Sequence, residues 1–185
     1  MGHPLVDVHG EALQGTPPPR KGLLLAPGSR RQELVRIVPV LAAALRRLRE
    51  RGSLPELVTV SQAPGVDPGL LEPLVAEGAR PSDGELFAEL RAALCAVVCS
   101  GTATVEAALA GAPHVIVYRT GSLTYAIART MATVEHIGMA NIVLGRRAFP
   151  ELLQGGLTRD TVVADVEPLL DPDSPQTRDQ TLACE

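Results

Sequence analysis

The chain has no tryptophan, and its 185 residues include only two tyrosines and two phenylalanines. Its core must therefore be built from aliphatic side chains, and the aromatic platforms on which nucleic-acid binders stack bases are missing. Three cysteines do not make a disulfide framework: Cys95 and Cys99 stand four residues apart in one apolar run, and Cys184 lies in the last stretch. That usage predicts a reducing, cytoplasmic setting. No apolar stretch approaches the ~18 residues that span a bilayer, and the segment from Met1 to Asp7 has neither the charged lead nor the apolar centre of an export signal. Neither the Lys-Ser/Thr ending of a P-loop nor the three-glycine dinucleotide fingerprint occurs, which disfavours ATP and hydride chemistry. There is no internal repeat.

What is present is enough for one folded domain. Hydrophobic residues make up 45% of the chain, and the formal net charge is −4. The charge is unevenly spread. From Arg20 to Arg51 nine Lys and Arg face Glu33 and Glu50, a local balance of +7 that leaves −11 for the remainder. Three readings stand side by side: an anionic ligand, an anionic membrane surface, or a solvated helix face carrying Arg46, Arg47, Arg49 and Arg51. The acidic total and the lack of aromatics weigh against nucleic acid.

Short apolar strands alternate with helices along the sequence. Residues 1–21, ending in Thr16-Pro17-Pro18-Pro19, read as a leading segment and linker. A strand over 22–26 precedes a helix from Arg31 with the stripe Leu34, Val38, Leu41, Leu45 and Leu48, in which Pro39 predicts a kink because it removes a backbone bond and costs about 3 kcal/mol of helix propensity. Further strands are expected over 57–60, 79–81, 94–99 and 114–118. Helices are expected behind Asp67, from Ser82 or Asp83 to Ala93, over 104–110, over 122–133, and twice within 148–171. Residues 172–185 read as a frayed tail. Such alternation demands right-handed crossovers and predicts an α/β domain over 22–171, a doubly wound parallel sheet of Rossmann-like type.

Two turns carry the chemistry. Ser100, Gly101 and Thr102 follow directly on the apolar run from Leu94 to Cys99 and open a helix. Free N–H groups, the helix macrodipole and two hydroxyls there form an anion-binding corner, and Gly101 lets the backbone approach closely. Glu106, within the first turn or so, is placed to reach a sugar hydroxyl beside the anion. The alternative is a capped helix in which Glu106 only favours the dipole. Pro27-Gly28-Ser29-Arg30 forms a second corner whose guanidinium fork suits a pyrophosphate. Both corners fall at carboxyl ends of strands, where doubly wound sheets bind ligands. Together they are what a nucleoside diphosphate would need. His3, Asp7 and His9 can be drawn as a metal trio, but a structural or solvated role suits an irregular segment better; no metal or cofactor is expected.

Gly2-His3-Pro4-Leu5-Val6-Asp7, Pro27-Gly28-Ser29-Arg30 with Glu33, Ser100-Gly101-Thr102-Ala103-Thr104 with Glu106, Tyr118-Arg119, Asn141 to Arg146 and Pro150 to Gln154 occur in an order that resembles lipid-A-disaccharide synthase across nearly the whole chain. The resemblance implies one half of a two-domain GT-B glycosyltransferase, the carboxyl-terminal, donor-binding half. The implied reaction transfers 2,3-diacylglucosamine from its UDP donor, UDP-2,3-diacylglucosamine, to 2,3-diacylglucosamine 1-phosphate in lipid A biosynthesis, without a metal. It implies that Gly28, Ser29 and Arg30 meet the donor phosphates, Ser100, Gly101 and Thr102 the pyrophosphate, Glu106 the ribose and Asn141 the donor-side cleft, with Arg30 and Asn141 as catalytic residues. The lipid acceptor is expected on an amino-terminal half that this chain lacks, along with the catalytic base; peripheral contact with the inner membrane and a homodimer are left open. Two alternatives stay open: a non-catalytic nucleotide-binding remnant, and another UDP-GlcNAc-type GT-B enzyme, an epimerase or a glucosaminyltransferase.

Overall fold

A computed structural model describes residues 18–121 and 137–184. The expected helix over 122–133 and most of the leading segment lie outside the described residues. In chain order the elements are β1 (Leu23–Ala26), α1 (Arg31–Glu50), β2 (Val58–Ser61), α2 (Glu72–Ala76), β3 (Arg80–Ser82), α3 (Leu86–Ala92), β4 (Cys95–Cys99), α4 (Thr102–Leu109), β5 (His114–Tyr118), α5 (Met139–Leu144), β6 (Glu151–Leu153), α6 (Arg159–Val166) and α7 (Pro175–Cys184). The strands form one sheet in the order β3-β2-β1-β4-β5-β6, with every pairing parallel. This is the doubly wound α/β architecture, with the strand order reversing between β1 and β4.

The apolar strands form the centre because both of their faces are covered. Leu23, Leu25, Cys95, Val97, Val115 and Val117 pack with the α1 stripe and with Val162, Val163 and Val166 of α6. Leu24, Ala26, Ala96 and Val98 face the other way, onto Phe87 and Leu90 of α3 and Ala107 of α4. Leu34, Val38, Leu41, Leu45 and Leu48 are all buried, as the stripe predicts. α1 is continuous through Pro39, which stands exposed beside Val35, itself 47% exposed. The Val35 carbonyl freed by the missing N–H thus lies on the solvent side, where water can satisfy it.

The basic stretch resolves into ion pairs. Arg46 and Arg49 both bind the Glu77 carboxylate, Arg47 binds Glu50, and Arg51 binds Glu167. The Arg49 and Arg46 hydrogen bonds hold Glu77 below the usual carboxylate range. Of the three readings of this face, the solvated helix face applies to these four arginines, each paired with a carboxylate.

Three expectations are corrected, and Asn141, given no element from the sequence, is placed in one. The tail is α7, docked through Thr177, Gln180 and Ala183, which are buried. The two helices within 148–171 are in fact the edge strand β6, α6 and two single 3₁₀ turns over Gln154–Gly156 and Glu167–Leu170. Asn141 lies in the short helix α5. α3 begins behind Glu85, and the Ser82 hydroxyl instead accepts from the Gly84 N–H in the preceding turn.

His114 opens β5 in full burial, stacked on Phe149 with ring centroids 4.0 Å apart. Its Nδ1 lies 2.8 Å from the Ala112 carbonyl, so Nδ1 carries the proton, and its backbone N–H donates to Gln180 Oε1 of α7 at 2.7 Å. Burial pushes the imidazole pKa down from 6.5 to about 4.

Two predictions follow from this corner. Gln180→Ala leaves the buried His114 N–H without its acceptor and should destabilise the fold by about 1–3 kcal/mol in urea titration; an unchanged midpoint would mean that α7 is not docked. The unfolded chain protonates His114 near 6.5 and the folded one only near 4, so stability present above pH 6.5 declines as pH falls towards 4. Urea titrations across that window should show a decline that is smaller in His114→Gln.

Candidate functional site at the strand-order reversal

β1 and β4 are hydrogen-bonded neighbours, with Ala26 opposite Val98. The turns that follow them therefore lie side by side. Between them is an open cavity of about 280 Å³ whose lining includes Gly28, Ser29 and Arg30 from the first turn and Ser100, Gly101 and Thr102 from the second. Glu33, Cys99, Ala103 and Leu86 complete much of the wall. Six of the eight residues singled out from sequence are thus brought together.

The second turn is built for close approach. Gly101 has φ +150° and ψ −161°, a region open essentially to glycine, and a Cβ there would meet nothing within 4 Å. Its carbonyl accepts from the Thr104 N–H at 3.1 Å and from Thr104 Oγ1 at 2.8 Å, which fixes the first turn of α4. With the Thr104 N–H spent on Gly101, the N–H groups of Thr102 and Ala103, both residues of the cavity lining, are the ones at this helix start with no partner inside the helix. Ser100 is anchored twice: its N–H donates to Val117, and its hydroxyl donates to the Ile137 carbonyl at 3.0 Å.

The first turn brings a cation and a carboxylate. Arg30 stands at the N-cap position of α1 with its side chain 78% exposed, and its Nη1 donates to Glu33 Oε1 at 3.0 Å. Glu33 is buried, and its Oε2 lies 3.8 Å from Cys99 Sγ. Burial first, then the Glu33 charge, pushes the Cys99 thiol up to about 12, so Cys99 is a neutral donor and not a nucleophile. Arg30 and Glu33 are the charged residues of the described lining, so the charges of its walls cancel.

Two residues expected in the site stand elsewhere. Glu106 is the fifth residue of α4, because the helix starts at Thr102 instead of Thr104, and it is not part of the described lining. Asn141 is fully buried. Its amide donates to the Phe149 carbonyl and to Glu151 Oε1, both at 2.8 Å, and its carbonyl accepts from the Ala148 and Phe149 N–H groups. Glu151 also accepts from the Ile137 and Gly138 N–H groups. Asn141 therefore acts as a brace: through Glu151 and Ile137 it reaches the Ser100 hydroxyl.

Sequence reading missed Glu33 as a cavity wall and Gln154 as a strained position. Gln154 has φ +49°, and its carbonyl accepts twice from the Arg119 guanidinium, which also binds the Leu157 carbonyl. The three bonds hold the turn after β6, which like the cavity lies at the carboxyl ends of the parallel strands.

A family model described as lipid-A-disaccharide synthetase matches residues 1–183. Among curated relatives named lipid-A-disaccharide synthase, that of Syntrophus aciditrophicus is 35% identical over 182 residues, that of Anaeromyxobacter sp. strain K is 37% identical over 182, and that of Geobacter sulfurreducens is 34% identical over 183. Each alignment covers 92% of this chain and 47% of the relative, so the chain spans about half the length of these relatives. In fold it is similar to CalG4, the calicheamicin glycosyltransferase, at TM-score 0.58 and 22% identity, over 92% of this chain and 40% of that one.

The two cavity glycines separate conformational strain from crowding. At Gly28, with φ +111°, a Cβ would come within 2.9 Å of Glu33 Oε2 and 3.2 Å of Cys99 Sγ, whereas at Gly101 it meets open space. Each alanine variant should lose about 1–3 kcal/mol to backbone strain, with Gly28→Ala losing clearly more in chemical denaturation. Equal losses would contradict the crowding at Gly28.

Proposed function

The chain belongs to the lipid-A-disaccharide synthase family, and from that premise we propose that its cavity holds the diphosphate of the UDP-sugar donor in the transfer of 2,3-diacylglucosamine to 2,3-diacylglucosamine 1-phosphate. The observation that carries this reading is the convergence of two glycine turns on one cavity where the strand order reverses. As the glycosidic bond breaks, negative charge grows on the β-phosphate of departing UDP. N–H dipoles at the start of α4 stabilise that charge without rearranging, and the Arg30 guanidinium adds a full positive charge beside them, which lowers the barrier. In this proposal Ser100, Gly101 and Thr102 face the pyrophosphate, Gly28, Ser29 and Arg30 flank it, and Glu106 keeps a place near the ribose, from the second turn of α4. Asn141 contributes by bracing the Ser100 turn.

The lipid acceptor and the base that activates it belong, in the same proposal, to the other half of the family's length. Peripheral contact with the inner membrane is part of it, supported by Ile142, Val143 and Leu144, 43%, 64% and 37% exposed, next to the exposed Arg146 and Arg147. The described helices include none long and apolar enough to cross a membrane.

A second reading, a nucleotide binder without turnover, is favoured for the polypeptide on its own by its span of about half the relatives' length. Sugar transfer and UDP release by the chain alone would exclude it. For the first reading, calorimetry should detect UDP binding that weakens about tenfold or more in Arg30→Ala, as expected when a charge-assisted hydrogen bond is lost. Equal affinity of the variant would remove Arg30 from the site.

A further inference from the structure

The two helix starts that meet at the cavity are not equivalent. The first turn of α4 contains no acidic residue, whereas that of α1 contains Glu33. The positive end of α1 is therefore already served by its own carboxylate, and the end of α4 remains for an external anion. Glu33 is 6% exposed and lines the cavity, which is an unusual place for a carboxylate whose neighbour is a phosphate.

Holding Arg30 does not account for it. That guanidinium is 78% exposed, and an ion pair to so exposed a partner is worth little; a surface glutamate would serve as well. The two oxygens also differ. Oε1 accepts from Arg30 at 3.0 Å, but the contact of Oε2 is the weak S–H donor of Cys99 at 3.8 Å. Oε2 thus has acceptor capacity left for a stronger donor. Gly28 borders that oxygen with no side chain, and a Cβ there would stand 2.9 Å from it.

We infer that Glu33 is the cavity's acceptor for a hydroxyl or N–H group that the ligand carries beside its phosphates. The cavity then has two poles, amide donors and Arg30 for the diphosphate and Glu33 for a neighbouring donor group. Such a site selects a phosphorylated sugar or nucleoside over a bare phosphate, because the carboxylate repels the anion and regains the loss only from a ligand that can donate to it. The inference rests on the diphosphate reading of the same cavity.

The test compares two probes, UDP-N-acetylglucosamine and inorganic pyrophosphate, by calorimetry on the full chain. Glu33→Gln keeps a carbonyl for Arg30 but removes the charge and one acceptor. It should weaken UDP-N-acetylglucosamine about tenfold and strengthen pyrophosphate, opposite shifts that a loss of fold or of Arg30 positioning would not produce. Glu33→Asp, which keeps the charge on a shorter arm, provides a second measurement should the glutamine variant fail to fold: it should weaken the nucleotide sugar and leave pyrophosphate within about twofold, as expected if the charge is kept. Shifts in the same direction for both probes, or none, would overturn the inference while binding lost in Arg30→Ala leaves the diphosphate reading standing. A wild-type chain that binds neither probe would overturn both.

Discussion

The parallel pairing of β1 with β4 is the constraint on which the rest of the structure depends. Every residue of both strands is buried, and because the strand order reverses between them the helices that follow leave on opposite sides of the sheet, α1 in one core cluster and α4 in the other. That divergence opens a crevice between the turns, and it does so at one place, where the strand order reverses. Gly28 and Gly101 face each other across it because Ala26 and Val98 are paired. Each turn alone is an ordinary helix start. The strands that carry them are neighbours, about 4.8 Å apart, and this makes the two turns a single site.

Electrostatics at that site come mostly from the backbone. The arginines that give the first third of the chain its positive balance are engaged elsewhere, Arg46 and Arg49 on Glu77 and Arg51 on Glu167. These pairs tie α1 to the segments after α2 and α6 and do not project a field into the cavity. With Arg30 and Glu33 balancing each other, an anion there depends on oriented N–H dipoles for its net attraction. Glu33 makes the cavity less favourable to phosphate as such, and this cost is tolerable only if the cavity's ligand offers something in return. The same carboxylate at a solvent-exposed place on α1 would give the dipole the same benefit without that cost.

Much of this was legible from the sequence because the central strands are unbroken apolar runs and the α1 stripe has clean helical spacing. Both turns are marked by glycine beside hydroxyl and guanidinium groups, so the cavity's outline could be read as well. What escaped notice lacks an apolar signature. β6 is three residues long, begins with Glu151 and follows a proline, a pattern too short to show alternation. α7 buries Thr177, Gln180 and Ala183, a polar or small face that has no hydrophobic period, so it resembles a solvated tail. Asn141 was singled out for the donor-side cleft, and the structure places it in a buried brace, because an amide that satisfies four backbone and carboxylate partners looks the same in sequence as one that awaits a substrate. The burial of Glu33 depends on Cys99, 66 residues away, a proximity that only the β1–β4 pairing creates.

The brace around Asn141 explains how a costly turn is kept in place. A glycine at φ +150° gives up more conformational freedom than other residues, so its position must be determined by its surroundings. Ser100 is fixed on one side by Val117 of β5 and on the other by Ile137, whose own N–H is held by Glu151, and Glu151 in turn by Asn141. Thr104 joins the same assembly, since its hydroxyl donates to Gly101 and lies 3.4 Å from the Ala140 N–H. The amide donors are therefore set before any ligand arrives, which is the condition under which dipoles stabilise developing charge most effectively. Arg30 is the opposite case, a long and largely exposed side chain tethered by one carboxylate. A ligand that donates to Oε2 of Glu33 leaves that tether, made through Oε1, in place. In the proposed site the fixed amides define where a diphosphate sits, while Glu33 uses one oxygen to hold the one full positive charge of the described lining and keeps the other for the neighbouring group.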